Sequence, residues 1–186
     1  LSSVNYLNDA ALALRNGKPI APPKVQLHEA EAVGHAIVQA SHLMAKVHHR
    51  AYHDPLTELG NRALFYELVQ HQLAIAEREH RQLSILAIDL DNFKVVNDEE
   101  GHAAGDQLLA AVARRLEATI RAADAAARMG GDEFSILLVD AGEESATETA
   151  HRLVAELGKP YPGIQTRVSA SIGIAVYPQA GADLAE

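Results

Sequence analysis

The stretch Ala125-Ala126-Ala127-Arg128-Met129-Gly130-Gly131-Asp132-Glu133-Phe134-Ser135-Ile136-Leu137-Leu138-Val139 reads as two short strands around a double glycine. A tight hairpin turn needs positive φ, which glycine adopts without the clash a Cβ would bring. The stretch therefore predicts a strand over 125–129, a turn, and a strand over 133–139. A second acidic segment lies upstream. Leu83-Ser84-Ile85-Leu86-Ala87-Ile88-Asp89 has the length of a buried strand and runs into Leu90-Asp91. A sheet that sets these strands side by side gathers their carboxylates at one edge.

Working outward, Gly105 to Ile120 is helix-periodic, Thr147 to Leu157 is helical until Gly158 and Pro160 stop it, and Thr166 to Tyr177 alternates in part like a strand. Towards the amino terminus, Asp54-Pro55-Leu56-Thr57-Glu58-Leu59-Gly60-Asn61-Arg62 breaks any preceding helix at its proline. Asn61 can then cap a helix running to about Glu79. After that helix the order is β-α-α-β-β-α-β, a split βαβ arrangement around an antiparallel sheet and hence an α+β fold. A globular domain over 54–186 follows, with 1–53 as a separate helical segment.

Within 1–53, Val4 to about Arg15 reads as a short helix closed by Asn16-Gly17, and Pro19, Pro22 and Pro23 make an extended connector. From Gln26 to His53, Ala30, Val33, Ile37, Ala40, Met44, Val47 and Ala51 recur at alternating spacings of three and four. This seam predicts a two-stranded parallel coiled coil; a single amphipathic helix lying on its own domain is the alternative. His28, His35, His42 and His49 fall seven apart on one outward position. Neighbours stand about 10 Å apart along a helix axis, too far to share a metal ion within a chain. The stripe is read as a solvated face, with a pH-sensitive or metal-binding role as the alternative.

The 186 residues suit one domain plus an appendage, and a 48% hydrophobic composition supplies a packed core. A net charge of −9 argues against a broad electrostatic grip on nucleic acid or anionic lipid, so a phosphate ligand must be held locally, through a metal. No cysteine is present, which excludes disulfides and thiolate chemistry and leaves the cytoplasm as the default compartment. No apolar run approaches the ~20 residues of a membrane helix, so no membrane contact by this segment is expected. The chain opens at Leu1 rather than Met, and the expectation is a piece of a longer protein whose upstream part could carry an anchor.

Hard oxygen ligands at the acidic edge suit Mg²⁺ or Mn²⁺ better than zinc. Such a metal offsets triphosphate charge and lowers the pKa of an attacking hydroxyl, the arrangement used in nucleotidyl transfer. The plain alternative is a solvated acidic surface.

Arg128-Met129-Gly130-Gly131-Asp132-Glu133-Phe134 resembles the signature of the GGDEF family, the diguanylate cyclases. Asp54-Pro55-Leu56-Thr57 with Asn61-Arg62 resembles the family's opening motif. Asp89-Leu90-Asp91-Asn92-Phe93-Lys94-Val95-Val96-Asn97-Asp98, with Gly101-His102 and Gly105-Asp106, resembles its first-strand and nucleotide motif, and Ser171-Ile172-Gly173-Ile174-Ala175 a late strand.

The resemblance implies a ferredoxin-like sheet akin to nucleotide cyclases and polymerase palms, and condensation of two GTP into cyclic di-GMP with loss of two pyrophosphates. Each domain would hold one GTP, and two domains would meet in a homodimer, which makes an upstream coil useful. By carry-over, Asp89 and Asp132 ligate the metals with the Leu90 carbonyl, Asp132 is the general base, and Glu133 belongs to the same acidic centre. Asn97 and Asp106 would bond guanine, Lys94 would approach phosphate, and Gly130 and Gly131 would leave room for the nucleotide. Phe134 is expected as a core anchor and His102 as structural. Arg121-Ala122-Ala123-Asp124 stands where the family places its product-inhibition site for cyclic di-GMP, although R-x-x-D alone is commonly a helix-end salt bridge.

Two departures stand out. Glu58 occupies a position where the family often has glycine, tolerable where a loop opens. The chain also stops at Glu186, before the family's closing helix and the two phosphate-binding cations that helix carries, so the segment is expected to lack it. The helix, connector and Glu29-Ala30-Glu31-Ala32-Val33-Gly34 resemble a HAMP signalling segment, which implies a membrane-anchored parent with its cyclase on the cytoplasmic side. The competing reading is a catalytically weak module that binds GTP or cyclic di-GMP and regulates an attached domain; a third is a dimerising relay only.

Overall fold

A computed structural model describes residue 38 and residues 49–179 of the chain. The expected HAMP-like segment, most of the coiled-coil seam, and His28, His35 and His42 lie outside the described residues. His49 to Tyr52 is helical, and Arg50 opens a compact unit holding the whole sheet.

Among the described residues that unit holds five strands, β1 (Gly60–Asn61), β2 (Leu83–Asp91), β3 (Ala125–Gly130), β4 (Glu133–Val139) and β5 (Ser169–Tyr177). The helices packed with the sheet are α1 (Arg62–Glu79), α2 (Phe93–Glu100), α3 (His102–Thr119) and α4 (Glu143–Leu157). The sheet order is β1-β3-β4-β2-β5, antiparallel except for the parallel β1–β3 pair. The expected α+β palm-like architecture is the observed one. Strand β1 escaped sequence analysis because two residues are too short to show alternation. Helix α3 begins a turn earlier than expected, directly after Gly101, whose φ of +88° ends α2. Helix α4 gains a first turn containing Glu143 and Glu144, whose charges suit the positive end of the helix dipole.

Alternation along β2 divides the layers. Leu86, Ile88 and Leu90 enter the main core with Val96 of α2, Leu108, Leu109, Val112 and Leu116 of α3, and Leu153 and Leu157 of α4. Leu83 and Ile85 face the other way, where Phe65, Val69 and Ala76 of α1 pack on them with Ala127 and Leu137. Phe134 is 1% exposed in the main core, as expected of an anchor. Arg115 ties α3 to the end of α4: Nη1 donates to the carbonyls of Glu156 (2.8 Å) and Lys159 (2.7 Å), and Nη2 to that of Pro160 (2.7 Å). Its guanidinium also lies 3.7 Å from the centroid of the Tyr161 ring.

Candidate active site

The register pairs Asp89 of β2 with Glu133 of β4, and Asp89 again with Ser171 of β5. Strands β3 and β4 close at Gly130↔Glu133, so Gly131 and Asp132 form the two-residue turn beside them. Gly131 has φ +54° and Gly130 φ +145°, conformations in which a Cβ is strained. Asp89, Asp132 and Glu133 thus meet at one sheet end, while the neighbouring Leu90 is buried. None of the three carboxylates has a hydrogen bond or ion pair among the described residues. Asp91, expected within the acidic edge, is occupied otherwise: its carboxylate accepts from Ser169 Oγ (2.7 Å) and Ser171 Oγ (2.9 Å), pinning the start of β5.

No three His, Asp or Glu side chains among the described residues converge as a metal cage. What the turn and β2 offer is the Asp132 and Asp89 carboxylates and the Leu90 main-chain carbonyl at the same end of the sheet. That donor set fits a small hard cation that keeps waters and completes its shell with substrate phosphates.

Asn97 lies on α2 and Asp106 on α3. The helices cross so closely that a Cβ on Gly105 would stand 2.1 Å from Asn97 Oδ1. Gly105 is buried, and its missing side chain is what lets the Asn97 carboxamide lie against α3 at the residue before Asp106. Lys94 is exposed one residue into α2.

The glycine turn is held from outside the sheet. Arg128 Nε and Nη2 donate to the Gly131 carbonyl (3.0 and 2.8 Å), while Nη1 donates to both Asp54 carboxylate oxygens (3.1 and 3.2 Å). Asp54 Oδ1 also accepts from Leu56 N (3.2 Å), Thr57 N (2.9 Å) and Thr57 Oγ1 (2.8 Å). Burial works against ionisation of Asp54, but the Thr57 and Arg128 bonds outweigh it and hold its pKa below the ordinary value of 3.8. No local pattern marks this clamp, because its partners stand 74 positions apart in the chain. Glu58, within the same loop, has φ +61°, which explains glycine's usual place there; the carbonyl of Glu58 accepts from His53 Nδ1 (2.9 Å) and its N–H donates to the Asp54 carbonyl (2.9 Å).

Arg121 and Asp124 line a cavity of about 340 Å³ bounded by α1 and β3. Asp124 Oδ2 accepts from Arg121 N (3.0 Å) and Oδ1 from Val139 N (3.1 Å), so the aspartate shapes its own turn, whereas the exposed Arg121 guanidinium has no partner among the described residues.

Residues 51–186 match the family described as "Diguanylate cyclase, GGDEF domain". The chain belongs to the GGDEF family. It is 46% identical over 134 residues to the bifunctional diguanylate cyclase/cyclic di-GMP phosphodiesterase MucR of Pseudomonas aeruginosa, covering 70% of this chain and 19% of that protein. It is 41% identical over 139 residues to the diguanylate cyclase TpbB of the same species, covering 73% and 32%. The chain therefore spans less than a third of the length of these curated relatives. The crystal structure of the coiled coil and GGDEF domain of DgcB from Caulobacter crescentus, in complex with c-di-GMP, superposes with a TM-score of 0.73 at 25% identity, covering 83% of each chain. The GGDEF signature is thus the β3–β4 turn itself, Gly130 to Phe134.

Proposed function

We propose that this chain carries the catalytic module of a diguanylate cyclase, with residues 54–186 as the cyclase domain and 1–53 as the segment that brings two copies together. The observation that carries the reading is the meeting of Asp89, Asp132 and Glu133 at the open sheet end of a GGDEF domain. The 3′-hydroxyl of one GTP attacks the α-phosphorus of the other, the new phosphodiester forms as the α–β anhydride breaks, and pyrophosphate leaves; Asp132 takes the hydroxyl proton. A second identical step closes the ring. Asp89, Asp132 and the Leu90 carbonyl would hold Mg²⁺ or Mn²⁺, which offsets phosphate charge when bound. Asn97 and Asp106 read guanine, Lys94 meets phosphate, and Gly130 and Gly131 give the nucleotide room. GTP supply places the module on the cytoplasmic side. No helix among the described residues is long and apolar enough to cross a membrane, and an anchor in the parent is part of the HAMP-like reading. The DgcB structure, which joins a coiled coil to a GGDEF domain, supports a homodimer built by a coil over residues 26–53.

The test is cyclic di-GMP formation from GTP and Mg²⁺ by the chain and by a version extended past Glu186. Synthesis by either supports the reading, and cyclic di-GMP binding without synthesis by both makes the chain a regulatory module. Gly105→Ala forces the Asn97 carboxamide aside, and the expected result is a KM for GTP raised about tenfold with kcat less affected, the loss of roughly one hydrogen bond. Product feedback rests on Arg121 and Asp124. Arg121→Ala is expected to weaken inhibition by cyclic di-GMP at least about tenfold without lowering the melting temperature, since its side chain supports nothing else. Asp124→Ala is expected to cost stability too, because it strips the acceptor from Arg121 N and Val139 N.

A further inference from the structure

We infer that Arg62 is a phosphate-binding residue of the catalytic cleft, on the sheet face opposite the helices that carry Asn97 and Asp106; the inference deepens the cyclase reading and rests on it. Helix α1 covers only half of its sheet face, over Leu83, Ile85, Ala127 and Leu137. The other half is a trough of about 570 Å³ floored by the small residues Ala87, Ser135 and Gly173, with Asp89 and Glu133 at one end and Arg62 on its wall. A Cβ built on Gly173 would meet nothing within 4 Å, so the trough is open above its floor.

The placement of Arg62 has no structural explanation. It is the first residue of α1, where a cation faces the positive end of the helix dipole, and the first turn holds no acidic residue to offset it. The guanidinium has no hydrogen bond or ion pair among the described residues. Its backbone, however, is tied down. Asn61 Oδ1 caps α1 by accepting from Leu64 N (3.1 Å), Asn61 Nδ2 donates to the Ala51 carbonyl (2.8 Å), and Asn61 pairs with Arg128 in β3, two residues before Gly130. An exposed, unpaired fork donor on an anchored backbone, lining the same trough as two carboxylates in a chain of net charge −9, suits a triphosphate whose metal sits on those carboxylates. With guanine read from the α2–α3 side, the phosphoryl group at the acidic edge has its other side towards the trough, where Arg62 would bond its non-bridging oxygens as charge builds during attack.

The experiment compares the wild-type chain with Arg62→Ala, Arg62→Lys and, as a charge control at the far end of α1, Arg78→Ala. Calorimetry measures affinity for Mg²⁺·GTP, and a second assay measures cyclic di-GMP formation. Arg62→Ala is expected to weaken GTP binding several-fold and lower kcat about 10²-fold, the scale of losing one transition-state donor. Arg62→Lys should recover part of the binding and less of the rate, and the melting temperature should not move. Less than threefold change in both assays, or an equal loss in Arg78→Ala, overturns the inference, as does a wild-type chain that binds no GTP. If the wild type binds GTP in an Arg62-dependent way yet forms no cyclic di-GMP, the cyclase reading fails and the role of Arg62 stands.

Discussion

Asp132→Ala is expected to lower cyclic di-GMP formation by at least about 10³-fold while leaving the melting temperature within about a degree of wild type. Two losses coincide at this residue, a metal ligand and the base that accepts the 3′-hydroxyl proton, and positioned proton transfer alone contributes about 10²–10⁴. Stability should hold because the carboxylate supports no other group: it has no partner among the described residues, and the turn conformation is set by Gly130 and Gly131. Asp132→Asn separates the terms, since it keeps an oxygen ligand but cannot accept the proton. Steady-state rates with Mg²⁺ and with Mn²⁺, alongside thermal melting, check the result. An Ala variant retaining more than a tenth of the rate would remove Asp132 from the chemistry.

Arg128→Ala is expected to destabilise the domain by about 2–4 kcal/mol and to lower activity at least about tenfold in the fraction that stays folded. The two side chains of the pair are only 14% and 20% exposed, so removing the cation leaves a half-buried carboxylate with only its Leu56 and Thr57 donors. The activity loss has a separate cause, because among the described residues Arg128 is what holds the Gly131 carbonyl and thus the peptide that leads into Asp132. Asp54→Asn should be milder, since the amide oxygen still accepts from Thr57. The same clamp sets an acid limit. The folded pKa of Asp54 lies below the unfolded value, so its contribution is complete above about pH 3.8 and is lost as pH falls through the lower folded value. Denaturant titration at pH 7 and pH 3 should show a smaller difference between the two pH values in Arg128→Ala than in wild type.

The hairpin was legible because its two signals are local: a double glycine, and apolar runs of strand length on either side. The same holds for Asn61, whose place before a helix-periodic run marks a cap that the structure completes with the Leu64 N–H. The acidic edge was half legible. The carboxylates and their strands were local features, but only the sheet shows that Asp91, placed by sequence at the same acidic edge, is taken up by two serines on β5, 78 and 80 residues away. Asp124 likewise read as a ligand-binding residue, and its bonds to main-chain N–H groups show that it also shapes the fold.

Apart from the two-residue β1, the succession of elements, the α+β class and the family motifs were legible in the residues, because hydrophobic period, glycine turns and caps act over a few residues. The Asp89↔Glu133 register, the Arg128 clamp on Asp54, the close crossing at Gly105 and the open trough beside Arg62 came from packing. All but the crossing at Gly105, which depends on how two successive helices pack, join residues far apart in the chain. Which long-range pairs form is set by how whole faces pack, and no short window of sequence contains that information.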